Sequence, residues 1–258
     1  MPSLPCFNLD NKVVVVTGAG RGIGRQIALD AAQSGASLAV GSRTVEDLVS
    51  LKSEIESMGG ECWYGKLDAT NIDSIKGFIA SAVERYGRID ALINNAGFNR
   101  QKDIIDYTEE EFDRIIDANL KSVFFCSQLV ARQMMKQGNG GSIVNITSQA
   151  GVVGAPKRGP YSGAKAGVNN MTKTMAAEWG KFDIRVNAVA PTVTRTEMTK
   201  RAMSENAAWT QTAREKILLP VDAAEPEEIS APVIFLTSAA ASMITGHTLV
   251  VDGGWTIV

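Results

Sequence analysis

Residues 11–24 read NKVVVVTGAGRGIG, and this stretch restricts the fold more than any other. Val13 to Val16 are apolar at every position. A strand with one face in water alternates apolar and polar residues. A strand that is apolar throughout is covered on both faces, as in a parallel sheet packed between helices. Glycines at 18, 20, 22 and 24 follow. Then Ile23, Ile27, Ala28 and Ala31 recur at the spacing of a helix that stops near Gly35. The glycines permit a tight turn and a close backbone approach, and the start of the helix offers free N–H groups with a partial positive charge. That combination suits a pyrophosphate. The pattern is TGxxxGxG rather than GxGxxG, because Ile23 stands where the third glycine of the dinucleotide fingerprint would be.

Strands are predicted at Val13–Thr17, 38–40, 62–66, Ala91–Asn94, 143–146, 185–189 and Thr248–Val251. Helical stretches lie between them; one, over 74–86, carries Ile75, Phe78, Ile79 and Val83 on one stripe. This alternation predicts an α/β domain with a doubly wound, mostly parallel, seven-stranded sheet. At 258 residues and 45% hydrophobic, the chain can bury one large core, and no linker or repeat divides it. Residues 194–220 break the rhythm with mixed polar and apolar residues. A segment of that length is seldom kept without a use. It reads either as a helical surface insertion or as a lid over a substrate.

The formal charge of −2, with scattered Lys and Arg, provides no basic field for nucleic acid. No apolar run approaches the roughly 18 residues of a membrane span. The start, MPSLPCFNLDNK, lacks a basic and then apolar leader, so a cytoplasmic protein is expected. Cys6, Cys62 and Cys126 are odd in number and widely spaced, and His247 is the only histidine. A disulfide framework and a metal site are therefore not expected.

The second strand ends in VGSRT, residues 40–44. Enzymes that use NAD usually place a carboxylate about 20 residues past the glycines, on the ribose 2′-hydroxyl. Ser42 occupies that neighbourhood here and Arg43 follows. An arginine fork attracts a 2′-phosphate that a carboxylate would repel, and Arg21 in the glycine loop is a second candidate. Two arginines without a competing acid predict NADP(H).

Five segments, in order, now carry a resemblance. They are TGAGRGIG at 17–24, Asp68 after the third strand, NNAG at 94–97, ITS at 146–148 and YSGAK at 161–165, supplemented by Asn119 and NAVAPTVTRTEM at 187–198. The sequence resembles the short-chain dehydrogenase/reductase family over nearly its whole length. The resemblance implies a Rossmann-like fold and hydride transfer between a nicotinamide and a carbonyl or secondary alcohol. It implies Tyr161 as the acid/base, Lys165 as its tuner and ribose contact, Ser148 on the substrate oxygen and Asn119 on a relay water. It also implies a cofactor set of Gly18, Gly20, Arg21, Gly22, Ile23 and Gly24, then Ser42 and Arg43. Asp68 would bond the adenine, Asn95 lie beside the ribose and Thr196 meet the carboxamide. Tyr161 and Lys165 are one helical turn apart, and an ammonium near a phenol is expected to lower its pKa from about 10.

The chain departs from the family at Thr192, where glycine usually follows the proline. His247 falls in a region resembling the family's subunit contacts. The apolar tail WTIV, 255–258, is expected either to meet a neighbouring subunit in a homotetramer or homodimer or to fold back over its own sheet. For the substrate, the chain looks similar to members acting on sugar acids and polyols and to 3-oxoacyl reductases. Arg100, Arg158 and the 194–220 segment are candidates for a carboxylate contact. A cofactor-binding sensor without turnover is the reading from another class, and an intact Ser148, Tyr161 and Lys165 weigh against it.

Overall fold

The computed structural model describes residues 7–205 and 207–258, with only the backbone described at Met198, Arg201, Ala202, Ala208 and Trp209. Cys6 lies outside the described residues. In chain order the main elements are β1 (Val13–Thr17), α1 (Gly22–Gln33), β2 (Ser37–Ser42), α2 (Val45–Ser57), β3 (Glu61–Lys66), α3 (Ile72–Tyr86) and β4 (Ala91–Asn94). There follow α4 (Glu109–Ile116), α5 (Ser122–Gln137), β5 (Gly141–Ile146), α6 (Gly159–Trp179), β6 (Ile184–Pro191), α7 (Glu197–Glu205), α8 (Ala207–Lys216), α9 (Pro226–Thr237) and β7 (Thr248–Val251).

Among the described residues the strands form one seven-stranded sheet in the order β3-β2-β1-β4-β5-β6-β7. Every pairing is parallel, so the expected "mostly parallel" sheet is wholly so. Each strand reaches the next through a helical crossover, and no hairpin turn brings in a reversed strand. The register explains the apolar runs. Val14 and Val16 point, with Leu38, Val40 and Ile93, into a core shared with Ile27 of α1, Leu51 of α2 and Val233 of α9. Val15, Ala39 and Leu92 point the other way, onto Phe78 of α3, Val130 of α5 and Met175 of α6. Period-two alternation is present, but both faces are dry.

Several strand bounds shift: β3, β5 and β6 begin at Glu61, Gly141 and Ile184, ahead of the expected 62, 143 and 185, and β6 runs on to Pro191. β2 is longer than 38–40, because pairing to β1 and β3 recruits Ser37 and Ser42 into the ladder. Within 194–220 the described residues form α7 and α8, in keeping with either expected reading, insertion or lid. The tail divides: Trp255 packs back on a small cluster of Val193, Ala213 and Ala223, whereas Ile257 and Val258 remain 77% and 64% exposed. β1 lies between β2 and β4, so successive crossovers run away from it to both sides. The crevice beyond the carboxyl ends at such a switch point is where open α/β sheets bind ligands.

Candidate active site

The carboxyl ends of β1, β4, β5 and β6 open on a cleft of about 480 Å³, and every catalytic and cofactor residue expected from the sequence lines it, as does Arg158 but not Arg100. At one end lies the glycine loop. Gly18 turns at φ 67°, and a Cβ on it would stand 2.8 Å from the Ala96 Cα. The loop after β4 is stapled against it. Asn95 Nδ2 donates to the carbonyls of Gly18 and Thr17 at 3.0 and 3.2 Å. Thr17 Oγ1 accepts from the Asn95 and Ala96 amides at 3.0 and 3.1 Å. Asn95 therefore lies in the cleft wall with its amide already spent on the loop. Thr196 lies across Gly22, its methyl 3.0 Å from where a Cβ would be.

Arg21 and Arg43 line the same end without a resolved ion pair among the described residues. Asp68 Oδ1 accepts from the Thr70 amide and hydroxyl at 3.0 and 2.8 Å. That backbone hydrogen bond holds the Asp68 carboxyl below its ordinary pKa despite desolvation, and the charge of Arg43 adds to the lowering. Ser42 Oγ donates to the Thr44 carbonyl at 2.9 Å. One expectation needs correcting. A competing acid is present, because Asp47 in the first turn of α2 lines the cleft and its Oδ2 lies 3.3 Å from the Cβ position on Gly20.

The other end gathers the residues with acid/base chemistry. Tyr161 and Lys165 rise on one face of α6, with the Lys165 ammonium 5.6 Å from the Tyr161 ring centre. Lys165 Nζ donates to the Ile146 carbonyl at 2.8 Å. Ser148 follows β5 and caps a short 3-10 turn, accepting from the Ala150 amide at 3.2 Å. The same turn brings Gly151 against α6, where a Cβ would stand 2.7 Å from the Lys165 carbonyl carbon. That close approach sets Ser148 beside Tyr161. A π-turn over Asp117–Lys121 carries Asn119 inward. Its Nδ2 donates to the Phe98 and Ile115 carbonyls at 2.8 and 2.9 Å. Its buried Oδ1 has no hydrogen-bond partner among the described residues and faces Gly97, whose Cβ position lies 3.7 Å from Lys165 Nζ. A π-turn opens the helix ladder locally and is often found where a side chain must be re-aimed.

Burial raises the Tyr161 pKa, and the opposing influences are first the Ser148 hydroxyl and then the charge of Arg158. The expected lowering by Lys165 is not the one that acts here, since the ammonium is turned to the Ile146 carbonyl. Lys165 is itself pushed down to about 8 by burial. An unfolded lysine titrates near 10.5, so between those values the unfolded chain holds a proton that the folded chain has released. Stability therefore rises with pH across that window, and below about 8 the folded state carries a desolvated ammonium. The unfolding free energy of the protein relative to Lys165→Met should thus increase between pH about 8 and 10.5, by at most on the order of 3 kcal/mol. Denaturant titration at several pH values checks this, and a flat difference refutes it.

Several contributors escaped the sequence reading. Gln149 is buried in the cleft wall and accepts the Ser148 hydroxyl at 2.8 Å. Behind the site a buried polar chain ties the sheet to its helices. Asn94 Nδ2 donates to Ser127 Oγ and Asn145 Oδ1 at 2.9 and 2.8 Å, and Asn145 Nδ2 to Thr172 Oγ1 at 3.0 Å. The available signal was an asparagine inside each of two apolar strands, ALIN and GSIVNI, where only a satisfied polar group is tolerated. Thr192 lines the cleft, is buried, donates its amide to the Val251 carbonyl at 3.1 Å, and its buried hydroxyl has no hydrogen-bond partner among the described residues. Arg100 is outside the main cleft and pairs with Glu111 at 3.1 Å. His247 is exposed beside β7 and does not line the cleft.

A family model described as Enoyl-(Acyl carrier protein) reductase matches residues 18–256. A 3-oxoacyl-[acyl-carrier-protein] reductase of Thermotoga maritima is 41% identical over 97% of this chain and 100% of its own length. A 2-dehydro-3-deoxy-D-gluconate 5-dehydrogenase of Escherichia coli is 36% identical over 98% of both. The crystal structure of a gluconate 5-dehydrogenase from Burkholderia cenocepacia, in complex with NADP and tartrate, superposes with a TM-score of 0.93 at 32% identity, covering 99% of both chains. The chain belongs to the short-chain dehydrogenase/reductase family, and it is a nicotinamide-dependent oxidoreductase acting on CH–OH groups.

Proposed function

We propose that the chain is an NADP(H)-dependent oxidoreductase that interconverts a ketone and a secondary alcohol on a sugar acid or polyol, with Tyr161 as its proton donor. The observation that supports this most is the convergence of Ser148, Tyr161, Lys165 and Asn119 on one cleft that carries Arg21 and Arg43 at its far end. The cleft suits a dinucleotide. Side chains on the glycine loop would collide with its walls, and the Asn119 Oδ1 awaits a donor. Gly18 to Gly24 would take the pyrophosphate, Arg21, Ser42 and Arg43 the 2′-phosphate, and Asp68 and Asn95 the adenosine. Lys165 and Thr196 would meet the nicotinamide half, which when bound supplies the hydride.

In the reductive direction Ser148 turns its hydroxyl from Gln149 to the substrate oxygen and holds it. Tyr161 gives that oxygen its phenolic proton, which burial keeps in place at neutral pH. Asn119 Oδ1 anchors the donor that reloads Tyr161, and Lys165 orients the ribose. Consumption of NADPH across a panel of ketones tests the whole reading. Tight NADPH binding without turnover on any of them would favour a sensor instead. The identity to the Thermotoga maritima relative favours a 3-oxoacyl substrate as the second reading.

A homodimer or homotetramer is the proposed assembly. β7 is the edge of the sheet, and an uncovered edge is a liability. Met243, Val250, Ile257 and Val258 are all exposed on or near it, which is apolar surface for a symmetric partner. Light scattering should return a multiple of 27.5 kDa, and a single-chain mass at micromolar concentration rejects the assembly. Removing Ile257 and Val258 should weaken it, whereas Trp255 belongs to the chain's own core. A lid role for α7 and α8 is proposed on the ground that Thr194, Thr196 and Thr199 line the cleft. A reducing, cytoplasmic setting suits the buried free thiols of Cys62 and Cys126.

A further inference from the structure

The cations that line the cleft fall into two sets. Arg21 and Arg43 stand at the glycine-loop end, and Lys165 and Arg158 at the catalytic end. Lys165 is committed to the Ile146 carbonyl. Arg158 is different. It immediately precedes α6, less than one turn before Tyr161, and is half-buried. Its backbone carbonyl accepts from the Ser162 amide at 2.8 Å, but its guanidinium forms no hydrogen bond or ion pair with any described residue. The titratable groups whose charge it feels are the phenols of Tyr161 and Tyr107, both neutral at physiological pH, and no carboxylate is among them. Other basic side chains near this end are engaged: Arg100 and Lys102 with Glu111 at 3.1 and 2.8 Å, and Arg114 over the Phe98 ring at 6.0 Å.

A partly desolvated charge without a counterion is costly. One kept beside the proton donor is answered when a ligand brings the anion. A planar guanidinium matches a carboxylate bidentately, and one unshared fork suits a carboxylate monoanion better than a phosphate dianion. The neighbouring wall completes the picture. Asn99 Oδ1 and Thr192 Oγ1 are buried and without a hydrogen-bond partner among the described residues, and both residues line the cleft with Gln149. Such groups bond hydroxyls and offer nothing to a long alkyl chain.

We propose that Arg158 is the carboxylate-binding residue of the substrate end, and that the substrate is a polyhydroxylated oxo or hydroxy acid. The proposal rests on the reading of the Tyr161 end as the carbonyl end, and it separates the sugar-acid substrate from polyols and 3-oxoacyl thioesters, which lack a free carboxylate there. Its test is calorimetric titration of the NADPH-loaded protein, which cannot oxidise these alcohols, with matched probes: D-gluconate against uncharged D-glucitol, and tartrate against threitol. The native protein should bind each acid at least about tenfold more tightly than its uncharged counterpart. Arg158→Gln should close that gap to within about twofold, and Arg158→Lys should restore part of it. NADPH affinity and the thermal transition serve as folding controls. Equal binding of acid and uncharged probe by the native protein, a gap that survives in Arg158→Gln, or failure to bind either acid overturns the proposal. Titration needs no turnover, so an absence of NADPH oxidation would sink the oxidoreductase mechanism while leaving the Arg158 result standing.

Discussion

Replacing Tyr161 by phenylalanine is expected to cut turnover by about 10²–10⁴-fold, the usual worth of a general acid, while NADPH binding stays nearly unchanged. The substitution removes one oxygen and keeps the ring that packs at the start of α6. Steady-state rates and fluorescence titration of NADPH, side by side, measure the two quantities. The direction of the Tyr161 pKa sharpens the expectation. Burial raises it, and the Ser148 hydroxyl and Arg158 only partly oppose that. The phenol is thus protonated at neutral pH and ready for reduction, whereas oxidation needs the phenolate and should gain as pH rises. A variant that retains more than about a tenth of the native rate would remove Tyr161 from the proton-donor role. Lost NADPH affinity would instead point to a structural contribution at the head of α6.

The second large effect is expected at the opposite end of the cleft. Arg43→Ala should weaken NADPH by roughly 10- to 100-fold, the loss of one charge-assisted hydrogen bond to a phosphate, and leave NADH nearly untouched, because NADH has no 2′-phosphate. Dissociation constants for both cofactors decide it. Equal losses would mean that Arg43 serves the adenine face or the loop. Asp47 makes the comparison informative: its carboxylate near Gly20 and Ser42 opposes an added phosphate, so the preference for NADPH has to be carried by Arg21 and Arg43 against it. Raising the salt concentration should narrow the difference between the cofactors, because these side chains are exposed and screened.

Much of this was legible in the chain because local chemistry and local geometry coincide. The four valines of β1 could only be a strand dry on both faces. The glycines at 18 and 24 mark places where Ala96 and Asn95 press against the loop, and a missing side chain leaves its record in the sequence even when the neighbour that excludes it is far along the chain. Tyr161 and Lys165 share a face because a helix repeats every 3.6 residues. The 194–220 segment was legible only as an interruption, since its mixed pattern suits both an insertion and a lid.

What the sequence by itself determined was therefore the seven strands, their largely parallel arrangement, and the site residues carried by short motifs. Tertiary structure alone decided the rest. The polar chain from Ser127 through Asn94 and Asn145 to Thr172 joins four elements. The pairing of Arg100 with Glu111 takes one basic candidate out of service, while the unpaired Arg158 remains beside Tyr161. Asp47 reaches the glycine loop from the next helix. In each case the deciding quantity is a distance between residues set by sheet register and helix packing. Periodicity tells which face a side chain occupies. It does not tell which partner, or which absence of a partner, that face will meet.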